Sequence, residues 1–228
     1  MIKGLNPVRR IVNPKFSFLR KYFGKQPFRL LDVGAGNHSA AKVTALFPNC
    51  EYYGLDMDRQ YNNDDGDFRA MKGFFELDLT RLDYSVIPDR YFDGMLMAHV
   101  IEHLPNGDEV LPRLLTKLKP GGYFYIEYPG AKSLSLPSMR GTLNFKDDPT
   151  HVRVYSVAEL RKIFEAEGCT VLAAGTRRSI WNIIATPARM LNSLVRTGHL
   201  RGNIFWDLLG FAEYLQVRKN PGQAPLTP

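Results

Sequence analysis

Cysteine is scarce and long apolar runs are missing in this sequence of 228 residues. Its cysteines, Cys50 and Cys169, form no C-x-x-C pair, so we expect neither a disulfide framework nor a zinc–cysteine site. Such low cysteine usage fits a reducing compartment, and we expect a cytoplasmic protein. No run approaches the roughly 18 apolar residues of a membrane span, and the N-terminus lacks the apolar core of a secretory signal.

Acidic residues are also in the minority, with 23 Asp and Glu against 30 Lys and Arg and a net charge of +7. The basic excess crowds the two ends of the chain, over residues 9–25 and 177–219. A surface of this sign attracts phosphorylated ligands, nucleic acid or anionic membranes. No recognisable nucleic-acid motif accompanies it, so a solvated surface and peripheral membrane contact both remain open.

Short apolar segments alternate with amphipathic segments along the chain. The pattern predicts strands at 28–33, 51–55, 73–77, 91–98, 123–128, 169–175 and 211–218, and helices at 15–24, 39–47, 108–118 and 156–167. This alternation indicates an α/β domain with a parallel sheet and helices on both faces. Such sheets bind ligands outside the carboxyl ends of their strands, so the residues there are the first site candidates.

The first predicted strand runs directly into a glycine turn, Gly34-Ala-Gly36. Glycine permits a tight turn and lets the backbone approach a ligand closely. Asp56 ends the next strand at 56 − 32 = 24 positions after Asp32, which is compatible with the spacing of about 20 between a glycine loop and a ribose-binding acid. Ser39 stands where the dinucleotide fingerprint has its third glycine, which weakens an NAD interpretation.

Five segments resemble, in order, the motifs of class I S-adenosylmethionine-dependent methyltransferases that act on small molecules and glycans. They are Leu30–Gly36, Asp56, Leu77–Leu79, Phe92–Leu104 and Leu118–Gly122. The resemblance implies a Rossmann-like α/β fold with a seven-stranded, mostly parallel sheet, helices on both faces and an antiparallel last strand. It also implies an N-terminal basic helical segment at 1–27 and a methyltransferase domain at 28–228, in which 129–155 is a substrate-side loop and 179–210 a lid or cap.

The resemblance further implies which residues hold the cofactor. S-adenosylmethionine would lie across the strand ends, with its methionine at the glycine turn, its ribose on Asp56 and its adenine near Asp78. The implied cofactor-binding residues are Gly34, Ala35, Gly36, Asn37, Asp56, Met57, Asp78, Leu79, Ala98 and His99. After transfer the same residues would hold S-adenosylhomocysteine.

One motif competes with this interpretation, because His99-Val-Ile-Glu102-His103 matches the H-x-x-E-H pattern of a zinc-peptidase class. On a helix, His99 and His103 would share a face and could bind zinc. Here the pattern abuts a buried strand, Pro105 and Gly107 follow at once, and the sequence identifies no third ligand. We therefore expect no metal.

The acceptor should lie across from the glycine turn. Methyl transfer from a sulfonium is an in-line displacement to which orientation contributes most, so catalytic residues can be few. His103 and His151 are the candidate catalytic residues, because histidine moves protons near neutral pH. Arg153, Tyr155 and Tyr128 are the candidate substrate-binding residues. Alternatively, His151, Arg153 and Tyr155 only pin the long loop to the domain.

These patterns together predict a methyltransferase that uses S-adenosylmethionine to modify a small-molecule or glycan-like acceptor, with oxygen as the expected acceptor atom. Two other functions remain open. One is an NAD-dependent oxidoreductase on a related Rossmann fold, and the other is a non-catalytic regulator that binds S-adenosylmethionine.

Overall fold

The computed structural model describes residues 13–222, whose frame is a seven-stranded sheet. Predictions that fall on residues 1–12 and 223–228, including the start of the basic N-terminal segment, lie outside the described residues. The strands are β1 Phe28–Val33, β2 Cys50–Asp56, β3 Gly73–Glu76, β4 Phe92–Ala98, β5 Leu118–Pro129, β6 Cys169–Thr176 and β7 Ala212–Lys219. Their spatial order is β3-β2-β1-β4-β5-β7-β6.

The strand β1 lies near the middle of the sheet and pairs in parallel with β2 and β4, so that Leu31 lies between Tyr53 and Met95. The strands β3 and β5 extend the sheet in parallel, whereas β7 runs antiparallel between β5 and β6. The predicted mostly parallel sheet with an antiparallel last strand is therefore confirmed. Strand order reverses between β1 and β4, and open α/β sheets bind ligands at such a point.

Helices cover both faces of the sheet. They are α1 Pro14–Tyr22, α2 Ser39–Leu46, α3 Asp65–Ala70, α4 Gly107–Lys117, α5 Val157–Ala166, α6 Ile180–Ile184, α7 Thr186–Thr197 and α8 Trp206–Leu209. Successive residues of β1 point to opposite faces, so Leu31 joins a core beneath α4 and α5, while Leu30 joins a second core beneath α1 and α2. Burial on both faces explains why these strands read as continuous apolar runs.

The basic helix α1 is packed on the sheet. Asn13 begins it by accepting a hydrogen bond from Lys15 N at 3.0 Å, and Phe18 and Leu19 are buried in the core that also contains Leu30. Its apolar face thus contributes to the same core as β1, while Arg20 and Lys21 on the other face are exposed.

Two local structures differ from the sequence prediction. The turn-rich stretch at 62–66 leads into α3, because Asp64 accepts hydrogen bonds from Gly66 N and Asp67 N and acts as a helix N-cap. Asp and Asn favour both turns and N-caps, so the pattern alone does not separate the two. The strand β5 begins at Leu118, whereas the sequence predicted a start at residue 123. The residues between Leu118 and Tyr123 form an irregularity in the pairing of β5 with β4.

The helix α5 has Ser156 as its N-cap, and the Ser156 hydroxyl accepts a hydrogen bond from Glu159 N at 3.2 Å. The Ser-x-x-Glu capping box that these two residues could form is only half formed. The Glu159 carboxylate accepts a hydrogen bond from Arg153 Nη2 at 2.7 Å instead of closing the box. The stronger charged partner takes the carboxylate away from the backbone.

The loop between β5 and α5 is ordered by one carboxylate. Asp147 Oδ2 accepts hydrogen bonds from the backbone N–H groups of Met139, Leu143 and Asn144, at 3.0, 2.8 and 2.8 Å. Burial alone would raise the pKa of Asp147, but the Ser138 hydroxyl and these N–H groups lower it to about 2.

Within residues 13–222, no helix is both long and apolar enough to cross a membrane.

Candidate active site

The glycine turn after β1 lies at the carboxyl edge of the sheet. Gly34 has a φ of +79°, a left-handed conformation that favours glycine, and its N–H donates to Leu55 O at 2.8 Å. A Cβ at position 34 would lie 2.3 Å from Val100 Cγ2, and one at Gly36 would lie 2.6 Å from Tyr61 Cδ1. Close packing within the protein therefore restricts both positions to glycine. A ligand that comes close to the backbone of the turn would restrict them in the same way.

Ser39, at the position of the missing third glycine, belongs to a buried hydrogen-bond network. Its hydroxyl donates to Asp32 Oδ2 at 2.5 Å and accepts a hydrogen bond from Lys15 Nζ at 3.0 Å. Tyr52 donates to the same Asp32 oxygen at 2.7 Å. Asp32 is 2% exposed, so its carboxylate fixes the start of α2 and supports the turn rather than facing a ligand.

Asp56 lies at the end of β2, one strand from the glycine turn. Asp58 N donates to its Oδ1 at 3.3 Å, and burial raises the pKa of the Asp56 carboxyl. The neighbouring Met57 is 74% exposed. An exposed methionine beside a half-buried acid gives a polar anchor next to an apolar surface, which suits a ribose joined to a flat base.

Asp78 begins the 3-10 turn Leu79–Arg81. Its Oδ1 accepts hydrogen bonds from Thr80 N at 2.9 Å and Thr80 Oγ1 at 2.7 Å, and these bonds lower the pKa of Asp78. Leu79 is buried beside it, while the Asp78 side chain is 40% exposed. One carboxylate oxygen is thus fixed by the turn, and Oδ2 lies toward Arg81 at 3.6 Å.

Two asparagines that the sequence analysis treated only as loop residues hold the glycine turn. Asn62 Nδ2 donates to Asn37 Oδ1 at 3.0 Å, and Asn63 Nδ2 donates to Ala35 O at 2.9 Å. The Asn63 Oδ1 atom is buried, yet no residue among 13–222 donates a hydrogen bond to it. A buried acceptor without a donor is costly, so a ligand donor would be stabilising here. Turn composition gave no signal for this role.

A buried charged group, which we call the Arg177 cluster, lies across the edge from the glycine turn. It consists of His99, Glu127, Arg177 and Asp207. Arg177 donates to Glu127 Oε1 at 2.6 Å and to Asp207 Oδ2 at 3.0 Å, and His99 Nε2 lies 3.1 Å from Glu127 Oε1. The Trp206 ring covers His99 at a centroid distance of 4.9 Å. The cluster thereby ties β4 and β5 to the segment after β6.

The Arg177 cluster keeps its groups charged. Burial lowers the pKa of His99, but the carboxylates of Glu102 and Glu127 outweigh burial and raise it to about 9. Burial raises the pKa of Glu127, but the positive charge of Arg177 and the contact with His99 hold it well below its usual range. His99 has a φ of +58°, so a strained backbone directs its ring into this cluster rather than along β4.

The predicted catalytic residues, His103 and His151, lie together. Their ring centroids are 4.8 Å apart. His103 Nδ1 contacts Thr150 O at 3.2 Å and Thr150 Oγ1 at 2.9 Å, and His151 Nδ1 contacts Phe145 O at 2.7 Å. The loop before α5 therefore delivers His151 to the turn that follows β4, a proximity between residues that are 48 positions apart (151 − 103 = 48).

The predicted substrate-binding residues have partners within the protein. Arg153 Nη1 pairs with Asp108 at 3.0 Å, and its guanidinium lies over the Tyr155 ring at 4.6 Å. Tyr155 is buried, and its hydroxyl donates to Leu104 O at 3.2 Å. Tyr128 is fully buried, and burial followed by the charge of Glu213 raises its pKa. These contacts favour loop anchoring for Arg153 and Tyr155, and packing in the core for Tyr128, over direct contact with a substrate.

Comparisons with known proteins identify the family of this chain. Residues 8–174 match the family model of a methyltransferase domain. This chain belongs to that family of S-adenosylmethionine-dependent methyltransferases. S-adenosylmethionine is the cofactor of this class, so the family match counts against the nicotinamide alternative.

Individual relatives share little sequence identity with this chain. Trans-aconitate 2-methyltransferase of Methylobacterium nodulans is 27% identical over 157 residues, which is 64% of this chain and 58% of that protein. A Mesorhizobium loti S-adenosylmethionine-dependent methyltransferase has a TM-score of 0.63 at 12% identity, with 90% of this chain and 97% of that chain covered. The Burkholderia thailandensis 1,6-didemethyltoxoflavin-N1-methyltransferase, with bound S-adenosylhomocysteine, has a TM-score of 0.54 at 16% identity, with coverages of 90% and 76%.

The edge residues fit the chemistry of this cofactor. Asp56 offers a carboxylate for the two ribose hydroxyls, and hydrogen bonds to a charged group contribute about 1.5–3 kcal/mol each. Met57 offers an exposed apolar side chain beside that carboxylate. The unpaired Asn63 Oδ1 faces the turn at Ala35 and could accept a hydrogen bond from the cofactor's amino group.

Proposed function

We propose that this methyltransferase transfers the methyl group to an oxygen atom of a small-molecule or glycan-like acceptor. The observation that carries the proposal is the His103–His151 pair. Both Nδ1 atoms contact backbone carbonyl oxygens, at 3.2 and 2.7 Å, so in the neutral rings the Nε2 atoms carry the free lone pairs. A hydroxyl gains most from such a base, because it must lose its proton as it attacks.

The residues of the edge have separate tasks in the proposed reaction. Bound S-adenosylmethionine supplies a methyl group on a sulfonium, which leaves as a neutral thioether as the methyl bonds to the acceptor oxygen. Asp56 and Asp78 would hold the ribose and the adenine, while Ala98 and His99 would border the methionine. His103 Nε2 would accept the hydroxyl proton. Alignment of the acceptor with the methyl group would supply most of the rate.

The names of the similar proteins support a small acceptor but differ in the atom. One relative is a trans-aconitate 2-methyltransferase, whereas a structural neighbour is an N1-methyltransferase of 1,6-didemethyltoxoflavin. The paired histidines favour oxygen for this chain, since a neutral amine or a carboxylate need not lose a proton before attack.

We also propose that residues 129–155 and 179–210 enclose the acceptor. Trp206 Nε1 donates to Thr142 O at 2.5 Å and joins the two segments.

On α7 the exposed side chains include Leu191 at 65% and Val195 at 77%, next to the basic Arg196. Basic amphipathic helices of this kind can lie on anionic membranes, so peripheral membrane contact stays a prediction that vesicle sedimentation can test.

Transfer of labelled methyl groups to a panel of small acceptors tests the proposal. Hydroxyl-bearing acceptors should be methylated, and His103→Gln should lower kcat by about 10²–10⁴-fold if the ring moves the proton. Binding of S-adenosylhomocysteine, measured separately by calorimetry, should change little in the same variant. Methylation of amines alone, or full activity of His103→Gln, would contradict the proposal. His199, a partly exposed histidine that contacts Thr197 O at 2.7 Å, supplies the matched control variant His199→Gln.

A further inference from the structure

Glu102, His103 and His151 form a group of ligand-type atoms that proton transfer alone does not explain. One ligand atom from each side chain lies within 4.8 Å of the others. Glu102 and His103 lie on the 3-10 turn Ile101–His103 directly after β4. The backbone holds the third member in place, because Val152 N donates to Glu102 O at 2.9 Å.

The Glu102 carboxylate is buried without a hydrogen-bond donor. The residue is 1% exposed, and neither Oε1 nor Oε2 accepts a hydrogen bond from any residue among 13–222. Its nearest basic atoms are His99 Nδ1 at 3.4 Å and His151 Nε2 at 3.9 Å. The nearby Arg177 already pairs with Glu127 and with Asp207. His99 lies close to this carboxylate but leaves both of its oxygens without a hydrogen-bond donor, so a cation bound directly to them would be stabilising.

Each histidine has one ring nitrogen that its hydrogen bonds leave free. Thr150 Oγ1 donates to Asp148 Oδ1 at 2.5 Å, so that hydroxyl can only accept a hydrogen bond from His103 Nδ1 at 2.9 Å. His151 Nδ1 correspondingly donates to Phe145 O at 2.7 Å. Metal-binding histidines characteristically donate one ring N–H to an oxygen atom, which fixes the tautomer and leaves the other nitrogen for the ion.

We propose that Glu102, His103 and His151 bind a divalent transition-metal ion, of which zinc is the probe of choice. Two imidazole nitrogens and one carboxylate oxygen are a set that favours zinc and iron(II) over magnesium or calcium. Three protein ligands leave a coordination position open for water or substrate. The partly exposed His103 gives the ion a route from solvent.

The geometry requires only a small closure. Ligand atoms around tetrahedral zinc lie about 3.4 Å apart, given Zn–N bonds of about 2.1 Å. His151 Nε2 and Glu102 Oε1 are 3.9 Å apart, so rotation of one side chain brings them into range. Asp148 Oδ2, also 3.9 Å from His151 Nε2, adds negative charge on the same side.

This arrangement corrects the expectation that the sequence motif lacks a third ligand. The H-x-x-E-H pattern pairs His99 with His103, whereas the structure directs His99 to Glu127 and brings His151 to Glu102 and His103. Metal binding itself does not require the proposed acceptor chemistry, but a bound ion would take the His103 Nε2 lone pair, so the ring would act as the base only in the metal-free protein. Only the further step, in which the ion would bind the acceptor oxygen and promote loss of its proton, rests on the proposed function.

Calorimetric titration of the chelator-treated protein with zinc chloride tests the site, without cofactor or acceptor. We expect one zinc ion per chain and visible absorption bands of tetrahedral type after cobalt(II) substitution. His151→Ala and the near-isosteric Glu102→Gln should each weaken zinc binding at least tenfold, the scale of effect seen even for residues that only support metal ligands. Far-ultraviolet circular dichroism and a thermal melt establish that each variant is folded.

Two control variants separate this site from other histidines. His199→Ala removes a partly exposed histidine, and His38→Ala removes the histidine that pairs with Asp67 at 2.6 Å. Both variants should bind zinc within twofold of the parent. Zinc binding that survives His151→Ala, or that is lost in His38→Ala, would overturn the proposal. The zinc titration uses no acceptor and is therefore independent of the methyl-transfer assay. Zinc binding can fail while methyl transfer succeeds, and methyl transfer can fail while zinc still binds.

Discussion

The carboxyl edge of the sheet has two sides, the proposed cofactor side and the proposed acceptor side. They differ in how far apart in the sequence their bonded residues lie. On the cofactor side, Ser39 bonds to Asp32 seven positions away, and Tyr52 bonds to it from 20 positions away. On the acceptor side, Arg177 reaches Glu127 across 50 positions, and Trp206 reaches Thr142 across 64. Both sides contain buried charged groups, but only the first is assembled within one β-α-β unit.

This difference separates what holds the protein together from what binds the cofactor. The Arg177 cluster joins β4, β5 and the 179–210 segment through buried ion pairs, so it should dominate stability. The cofactor side presents Asp56 and Met57 at a strand end, where their removal should affect ligand binding more than folding. Variants on the two sides should therefore differ in kind, and the predictions below run from the largest expected effect to the smallest.

Replacing Arg177 should have the largest effect. Arg177→Met leaves Glu127 and Asp207 buried at 4% and 1% exposure without their shared partner. Removal of one member of a buried ion pair costs about 3–5 kcal/mol, because the remaining charge is uncompensated. Urea unfolding followed by circular dichroism measures the loss.

The matched control for this variant is Arg161→Met on the exposed face of α5. Arg161 pairs with Glu165 at 3.4 Å, with a side chain that is 42% exposed, and exposed pairs of this type contribute about 0.3–0.5 kcal/mol. If Arg177→Met cost no more than Arg161→Met, the Arg177 cluster would not be the tie between the segments.

Replacing Asp56 should be next in size and should act on binding. Asp56→Ala removes the carboxylate proposed for the two ribose hydroxyls. The loss of even one such hydrogen bond, about 1.5–3 kcal/mol, corresponds to roughly 10–150-fold weaker S-adenosylhomocysteine binding, which is the minimum expected. Calorimetric titration gives the affinity, and the melting temperature should fall little. Asp58→Asn, at an exposed position two residues along, serves as control and should bind within twofold. An unchanged affinity in Asp56→Ala would place the ribose elsewhere.

The sequence predicted the succession of β1, the glycine turn, α2 and β2 well because its determinants are local. Strand, glycine turn, helix and acid follow one another between residues 28 and 56, and parallel strands bring their ends to one edge of the sheet. What escaped prediction there was the support from Asn63, since asparagine in a turn-rich stretch has several equivalent explanations. The structure distinguishes them because it shows the amide bonded to Ala35 O at 2.9 Å.

Replacing Asp147 should give an intermediate effect that depends on pH. Its folded pKa of about 2 lies below the unfolded value of about 3.9, so its stabilisation is complete above about pH 4 and is lost as the pH falls through about 2. Asp147→Asn should cost about 1–2 kcal/mol at neutral pH, because an amide accepts the three backbone N–H bonds less strongly.

Unfolding free energies measured between about pH 2 and pH 5 should therefore fall less steeply in Asp147→Asn than in the parent. Asp83→Asn, at an exposed loop position, controls for the general effect of losing a carboxylate. A parallel pH dependence in Asp147→Asn and the parent would show that Asp147 does not order the loop.

The acceptor side was harder to predict because its pairings join distant parts of the chain. Nothing in the composition of the 129–155 loop indicates that Phe145 O would orient His151, or that the ring would meet Glu102. Histidine, arginine and tyrosine in one loop suit both a substrate site and an anchored loop. Tertiary contacts decide between these, and a single sequence does not contain them.

Replacing Arg153 should have the smallest effect and bears most directly on that ambiguity. Arg153→Gln breaks ion pairs with Asp108 and Glu159 at 3.0 and 2.7 Å, but the side chain is 31% exposed, so the loss should be about 1 kcal/mol or less. If Arg153 anchors the loop, KM for a small acceptor should stay within twofold while the melting temperature falls slightly. A tenfold rise in KM with unchanged stability would instead make Arg153 a substrate ligand and would extend the acceptor side beyond the two histidines. Steady-state kinetics and a thermal melt on the same preparation decide between these roles. Anchoring lowers mainly the melting temperature, whereas substrate contact changes mainly KM.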